Sequence, residues 1–210
     1  LTWGRDVPPS QARALLNRFV EAGGTFIDTA DVYSRGVSEQ LVGDWLGERA
    51  DARDQVVLAT KGRFPMNDGP NGVGLSRRHL HDALEASLRR LGVESIDLYQ
   101  LHAWDPLTPI DEYLRFIDDA IGAGKVHYFG LSNFVGWQLT AVAERAAAQG
   151  WTVPVSLQPQ YNLLHRARVE QENSSRGLAP LNPLLQGQAA PDAALVQRML
   201  KAEQENGCTS

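Results

Sequence analysis

Four polar side chains of types that move protons follow short apolar runs in this 210-residue chain. Asp28 and Tyr33 follow one run, Lys61 ends a second, and His102 ends a third. Tyrosine, with an ordinary pKa of about 10, is a poor acid at neutral pH, but a neighbouring ammonium favours the phenolate and lowers that pKa. A buried carboxylate would hold the lysine charged, and an imidazole could hydrogen-bond a substrate oxygen. Together the four side chains predict donation of a proton to a carbonyl oxygen.

Taken singly, each of these residues has an ordinary structural explanation. Aspartate often caps the turn after a strand, a lysine at a strand end is usually a solvated charge, and a lone histidine is more often structural than catalytic. The functional hypothesis therefore depends on the four side chains meeting at one edge of the fold.

Alternating helical and extended patterns must position these side chains. Helical spacing predicts helices from Ser10 to about residue 23 and over 38–48, 76–91, 110–121 and 135–149, with Ser10 and Ser76 as N-caps. Short apolar runs predict strands over 25–29, 55–61, 95–101, 126–131 and 152–157, a weak strand over 177–184, and the tail of a first strand over 1–4. Strands that alternate with helices indicate a parallel sheet with right-handed crossovers.

The predicted fold is α/β, a (β/α)8 TIM barrel formed by residues 1–210 as a single domain. Nearly uninterrupted apolar strands indicate a sheet covered on both faces, and no Gly-x-Gly-x-x-Gly follows a strand, which disfavours a Rossmann sheet. A closed barrel takes eight strands and typically about 250 residues, whereas seven strands are predicted here. We therefore expect a barrel that is incomplete at its C-terminal end, with the eighth strand in a longer natural chain.

Several stretches, in order along the chain, resemble the aldo-keto reductase family. They are residues 24–33 (GTFIDTADVY), 38–43 (SEQLVG), 57–61 (VLATK), 87–91 (SLRRL), 97–102 (DLYQLH), 130–134 (GLSNF) and 158–164 (QPQYNLL). The match loosens after about residue 166. The resemblance implies that Asp28, Tyr33, Lys61 and His102 correspond to the family's catalytic tetrad, with Tyr33 as the proton donor.

The same resemblance implies a nicotinamide cofactor that gives hydride to the carbonyl carbon, and no metal. Ser132, Asn133 and Gln158 match positions that hydrogen-bond the nicotinamide carboxamide, and Asn182 matches a turn beside the cofactor. The family prefers NADPH, which we expect here with NADH not excluded. In the family, the segment that recognises the adenosine 2′-phosphate of NADPH lies beyond the last helix of this sequence.

Two aromatic residues are candidates for the substrate pocket. Phe64 follows Lys61 and Trp104 follows His102, so both are expected on loops beside the proton donor. Apolar walls with few polar anchors suit a small-molecule carbonyl substrate.

Composition and charge exclude other function classes. The chain has 20 Lys and Arg against 25 Asp and Glu, a net charge of −5, which disfavours nucleic acid or anionic lipid as partners. It holds no apolar run long enough to predict a membrane span. A single cysteine, Cys208, cannot form an internal disulfide, which predicts a cytoplasmic location. No feature predicts an oligomeric state.

Two alternatives remain open. One is a cofactor-binding regulatory subunit that resembles the aldo-keto-reductase-type β subunits of potassium channels. The other is a degenerate or truncated barrel that neither binds cofactor nor reacts.

Overall fold

The computed structural model describes residues 3–161 and, beyond them, Val169 alone. Strands and helices alternate in this part of the chain as the sequence predicts. The elements are α1 (Pro9–Glu21), β1 (Phe26–Asp28), a 3-10 helix (Tyr33–Gly36), α2 (Val37–Glu48), α3 (Ala50–Arg53), β2 (Val57–Gly62), α4 (Arg77–Leu91), β3 (Ile96–Leu101), α5 (Ile110–Gly122), β4 (Val126–Ser132), α6 (Gly136–Gln149) and β5 (Ser156–Gln158).

The strands form one parallel sheet in the order β1-β2-β3-β4-β5. Each strand therefore pairs with its predecessor in the sequence, and the sheet curls into half of a barrel with the helices on its outer face. The register places Lys61 beside Gln100 and Ser132 beside Gln158. The predicted parallel α/β-barrel architecture is confirmed for the described residues.

The hydrophobic core lies between the sheet and the helices. Helix α4 buries a stripe at helical spacing, formed by Leu80, Leu84, Leu88 and Leu91, against the outer face of the sheet. Burial of each such side chain contributes about 1.5–3 kcal/mol. Among the described residues, no helix combines the length and hydropathy needed to cross a bilayer.

Of the two N-caps predicted from the sequence, one is confirmed and the other is wrong. The Ser76 hydroxyl accepts the His79 backbone N–H at 3.3 Å, so this predicted N-cap is confirmed. Ser10 is not a cap, because α1 begins one residue earlier, at Pro9, with Pro8 as the N-cap. Pro9 suits the first helical position because its fixed φ is helical and because the N–H that proline lacks would have no partner in the first turn.

Two strand predictions need correction. Trp3 forms an isolated bridge to Val7, and Gly4 turns the chain with φ +77° and an N–H bond to the Val7 carbonyl, so neither Trp3 nor Gly4 joins the sheet. The strand predicted over 152–157 is observed later, at Ser156–Gln158. Thr152 is held instead by Asp118 of α5, which accepts both its N–H and its hydroxyl. The weak strand predicted over 177–184 lies outside the described residues.

Helix α2 packs against the C-terminal end of α4 through Gly43. A Cβ atom at Gly43 would lie 2.3 Å from the Arg90 carbonyl oxygen and 2.8 Å from the Leu91 carbonyl carbon. Backbone cannot move aside as a flexible side chain can. This close approach explains a glycine in the middle of a helix, where it otherwise costs about 1 kcal/mol relative to alanine.

We expect Gly43→Ala to destabilise the fold by about 1–3 kcal/mol, because overpacking outweighs the gain in helix propensity. Gly47→Ala is the matched control in the same helix, where a new Cβ would meet no atom within 4 Å. It should stabilise the protein by about 0.5–1 kcal/mol. Urea unfolding of both variants measures the difference. Equal effects of the two substitutions would contradict the packing argument.

Candidate active site

The carboxyl ends of two neighbouring strands, β1 and β2, bring Asp28 and Lys61 into contact. The Lys61 Nζ donates to Asp28 Oδ2 at 2.6 Å and to the Thr29 carbonyl oxygen at 2.8 Å. The lysine side chain is only 1% exposed. Since parallel strands all end at the same edge of a sheet, adjacent strands suffice to make this pair.

The Asp28 carboxylate is held by two further donors. Gln100 on β3 donates to Oδ1 at 3.0 Å, and Gln158 on β5 donates to Oδ2 at 3.3 Å. The sequence analysis overlooked Gln100. It was detectable, because a polar residue in an apolar strand two positions before His102 shares that residue's face of the sheet.

Tyr33 stands above this ion pair at the start of the 3-10 helix. The Lys61 Nζ lies 5.1 Å from the centre of its ring. The three residues after it have left-handed backbone, with φ of 51° at Ser34, 53° at Arg35 and 92° at Gly36. The Ser34 hydroxyl anchors this turn by donating to the Trp3 carbonyl at 2.6 Å. Left-handed backbone at residues other than glycine is rare and is held here by these surroundings.

His102 completes the group of four. Its ring packs edge-on against Tyr33, with ring centres 5.8 Å apart, and against Phe64, with ring centres 4.8 Å apart. Burial lowers the pKa of His102 to about 4, and the cations Lys61 and Arg63 act in the same direction. The imidazole is therefore neutral at neutral pH.

Burial also sets the direction in which the pKa values of Tyr33 and Lys61 shift. Desolvation, followed by the Asp28 carboxylate, raises the pKa of Tyr33. The expectation that the site lowers this pKa is therefore wrong in direction, because loss of solvation and the Asp28 charge both raise it. Desolvation lowers the pKa of Lys61, and the contact with Asp28 opposes that effect.

The three residues expected to contact nicotinamide lie together at the ends of β4 and β5. The Asn133 backbone N–H and the Ser132 hydroxyl both donate to the Gln158 carbonyl, at 3.1 and 3.2 Å. The Asn133 side-chain amide donates to the His102 carbonyl at 3.0 Å. The structure thus joins this group directly to His102. Asn182, the fourth expected contact, lies outside the described residues.

The two aromatic candidates have different surroundings. Phe64 lies against the His102 ring. Trp104 packs in an aromatic cluster with Phe134 and Trp137, at ring-centre distances of 5.5 and 5.4 Å. Of the two, Phe64 is therefore the one in contact with the group of four polar residues, through His102.

A second set of buried charges lies on the helix side of Lys61. Glu39 of α2 accepts the Thr60 hydroxyl at 2.5 Å and the Arg90 Nε at 2.7 Å. Asp31 is 0% exposed, and within the described part of the chain its carboxyl group has no side-chain hydrogen-bond partner. Burial, and then the Glu39 charge, raise the pKa of Asp31 to about 7.

Fold and site together define a parallel α/β barrel with titratable side chains gathered at the carboxyl ends of its strands. Residues 1–179 match the Aldo/keto reductase family, and the chain belongs to that family. The resemblance seen in the sequence is confirmed.

Curated relatives include both enzymes and channel subunits. An uncharacterised oxidoreductase of Bacillus subtilis is 36% identical over 187 residues, covering 85% of this chain and 57% of the relative. A probable voltage-gated potassium channel subunit beta of Oryza sativa is 35% identical over 196 residues, covering 89% and 58%. An aryl-alcohol dehydrogenase [NADP(+)] of Phanerodontia chrysosporium is 31% identical over 204 residues, covering 90% and 52%. The chain spans somewhat more than half the length of these relatives.

The Asp31 carboxyl should make stability depend on pH. Between about pH 4 and pH 7 the unfolded chain has lost this proton while the folded protein keeps it, so the free energy of unfolding falls as pH rises through that window. Asp31→Asn removes the effect. The stability advantage of the variant over the wild type should therefore grow from pH 4 to pH 7, by on the order of 2–4 kcal/mol, and then level off.

Urea unfolding at several pH values between 4.5 and 8 measures this difference. Asp68→Asn, in an exposed loop, controls for the loss of one charge. An Asp31→Asn advantage that stays constant over the whole range would contradict the prediction.

Proposed function

We propose that this chain carries the proton-transfer site of an NADPH-dependent reductase that converts an aldehyde or ketone to an alcohol. The observation that carries the proposal is the Lys61–Asp28 ion pair beneath Tyr33, with His102 against the tyrosine ring. Family membership supports the general reaction class, nicotinamide-dependent carbonyl reduction.

The donor set at the ends of β4 and β5 fits a nicotinamide carboxamide. That group offers one oxygen acceptor and an amide donor, and Ser132, Asn133 and Gln158 present hydroxyl and amide groups in one place. Asn133 and Gln158 are exposed, so their side chains are accessible to a ligand. One relative is named as an aryl-alcohol dehydrogenase [NADP(+)], which favours NADPH over NADH.

Bound cofactor would supply hydride, and Tyr33 would supply the proton. The raised pKa keeps the phenol protonated at neutral pH, so Tyr33 is in its acid form before the reaction. An alkoxide is a much stronger base than a phenolate, so the proton moves from Tyr33 Oη to the substrate oxygen. The Lys61 ammonium then stabilises the phenolate, and Asp28 holds that ammonium in place.

His102 would orient the carbonyl before the proton moves. Its neutral imidazole can donate one N–H to the carbonyl oxygen without placing a third cation beside Lys61 and Arg63. The edge-on contact with Phe64 would help to fix the orientation of the imidazole ring.

Tyr33→Phe tests the proton donor because it removes only the hydroxyl. We expect kcat for aldehyde reduction to fall by about 10²–10⁴-fold, the usual contribution of a general acid. The Kd for NADPH, measured by quenching of tryptophan fluorescence, should stay within a few-fold. Tyr128→Phe is the matched control, since Tyr128 lies on β4 and is 59% exposed. Turnover by Tyr33→Phe at the wild-type rate would overturn the assignment.

The potassium-channel relative favours a second candidate, a subunit that binds cofactor and reports its redox state to a channel. It predicts that the wild-type protein binds NADPH as tightly as an enzyme does but reduces aldehydes no faster than Tyr33→Phe. Stoichiometric co-purification with a channel would support it. Sustained turnover that requires Tyr33, without a channel, would exclude it. A cytoplasmic location stays a prediction for both candidates.

A further inference from the structure

Arg63 brings a second cation to the edge that holds Lys61. Its guanidinium Cζ lies 5.0 Å from the centre of the Phe64 ring, and the Phe64 ring centre is 4.8 Å from that of His102. The Gly74 N–H donates to the Arg63 carbonyl at 2.9 Å and fixes the backbone. The guanidinium and the imidazole are therefore both in contact with one aromatic ring.

No carboxylate in the described part of the chain forms an ion pair with Arg63. Its Nε is buried and has no hydrogen-bond partner among the residues that the structure describes. Two other partly buried arginines are paired, Arg53 with Asp97 and Arg90 with Glu39. A buried donor of a charged group that lacks a partner is costly, so Arg63 stands out among these side chains.

The Asp105 carboxylate is near enough for Arg63 to help lower its pKa, but its oxygens already have other donors. Oδ2 accepts the Leu75 N–H at 2.8 Å and the Thr108 hydroxyl at 2.7 Å, and Oδ1 accepts the Leu107 N–H at 3.0 Å. Asp105 is therefore not a hydrogen-bond partner of Arg63 within the described residues, and the guanidinium has N–H donors to offer another acceptor.

We propose that Arg63 binds a carboxylate of the carbonyl substrate, so that the site prefers carbonyl compounds that carry an acidic group. A guanidinium matches a carboxylate with two parallel hydrogen bonds. Because the Phe64 ring touches both Arg63 and His102, a substrate that places its carboxylate about one aromatic ring away from its carbonyl would reach both. The inference rests on the proposed function, which supplies the position of the carbonyl.

Electrostatics support this preference. Lys61 and Arg63 both lower the pKa of His102, so their charges act on the centre of the site. Lys61 is already paired with Asp28, so it is the Arg63 charge that an anionic substrate would offset and that a neutral substrate would leave without an ion pair. In a chain with net charge −5, this makes the site locally attractive to an anion.

The test compares 4-carboxybenzaldehyde with its methyl ester, which has the same aldehyde but no charge. We expect Arg63→Gln to lower the ratio of kcat/KM for the acid to kcat/KM for the ester by about 10–100-fold, the usual effect of a charged hydrogen bond. Arg63→Lys, which keeps the charge but loses the planar fork, should lower it less. Arg78→Gln, an exposed loss of one charge, is the matched control and should leave the ratio unchanged.

Calorimetric binding of benzoate separates this inference from the proposed function. Benzoate should bind the wild-type protein and bind Arg63→Gln at least 10-fold more weakly, whether or not aldehydes are reduced. If the ester is reduced but the ratio does not change in either Arg63 variant, the inference is wrong and the reductase proposal stands. If no aldehyde is reduced while benzoate binding depends on Arg63, the anion site stands and the reductase proposal fails. Equal benzoate binding by wild type and both Arg63 variants overturns the inference.

Discussion

Burial of the Lys61 ammonium is the constraint on which the rest of the site depends. A cation that is 1% exposed loses most of its hydration, and it stays charged only if anionic and polar acceptors replace the water. Asp28 and the Thr29 carbonyl are those acceptors, and both lie at the end of the neighbouring strand. The pairing of β1 with β2 is therefore required by charge as well as by packing.

The need to give buried charges polar partners extends across the sheet. Asp28 needs partners for its remaining lone pairs, and Gln100 and Gln158 provide them from β3 and β5. On the helix side, Glu39 links α2 to Thr60 on β2 and to Arg90 on α4. The close approach of these helices at Gly43 fits this arrangement, since Arg90 lies at that contact. Loss of one strand or helix would leave buried charges without partners.

Strand-end chemistry was predictable from the sequence, whereas the surroundings of each group were not. Alternation of apolar runs and helical stripes placed Asp28, Lys61 and His102 at one edge, because parallel strands leave no other arrangement. The direction of the Tyr33 pKa shift was not predictable, since it depends on how much solvent the folded protein removes. The role of Arg63 was not predictable from the sequence, because its lack of a partner among the described residues is visible only once Asp105 is seen to bind other donors. The start of β5 was missed for a similar reason, as Asp118 is distant in sequence from Thr152.

The protonation states in the folded site fit the start of the proposed carbonyl reduction. Oxidation of an alcohol needs a phenolate at Tyr33 to accept the proton, and burial together with Asp28 disfavours that state. Reduction needs the phenol, which these same effects favour, and a neutral imidazole that donates a hydrogen bond, which burial of His102 also favours. Lys61 stabilises the phenolate only after the proton has left, so its charge is of most use late in the proposed reaction. In the proposed reaction, burial, which raises the pKa of Tyr33, would thus keep the proton on the phenol until an alkoxide forms to take it.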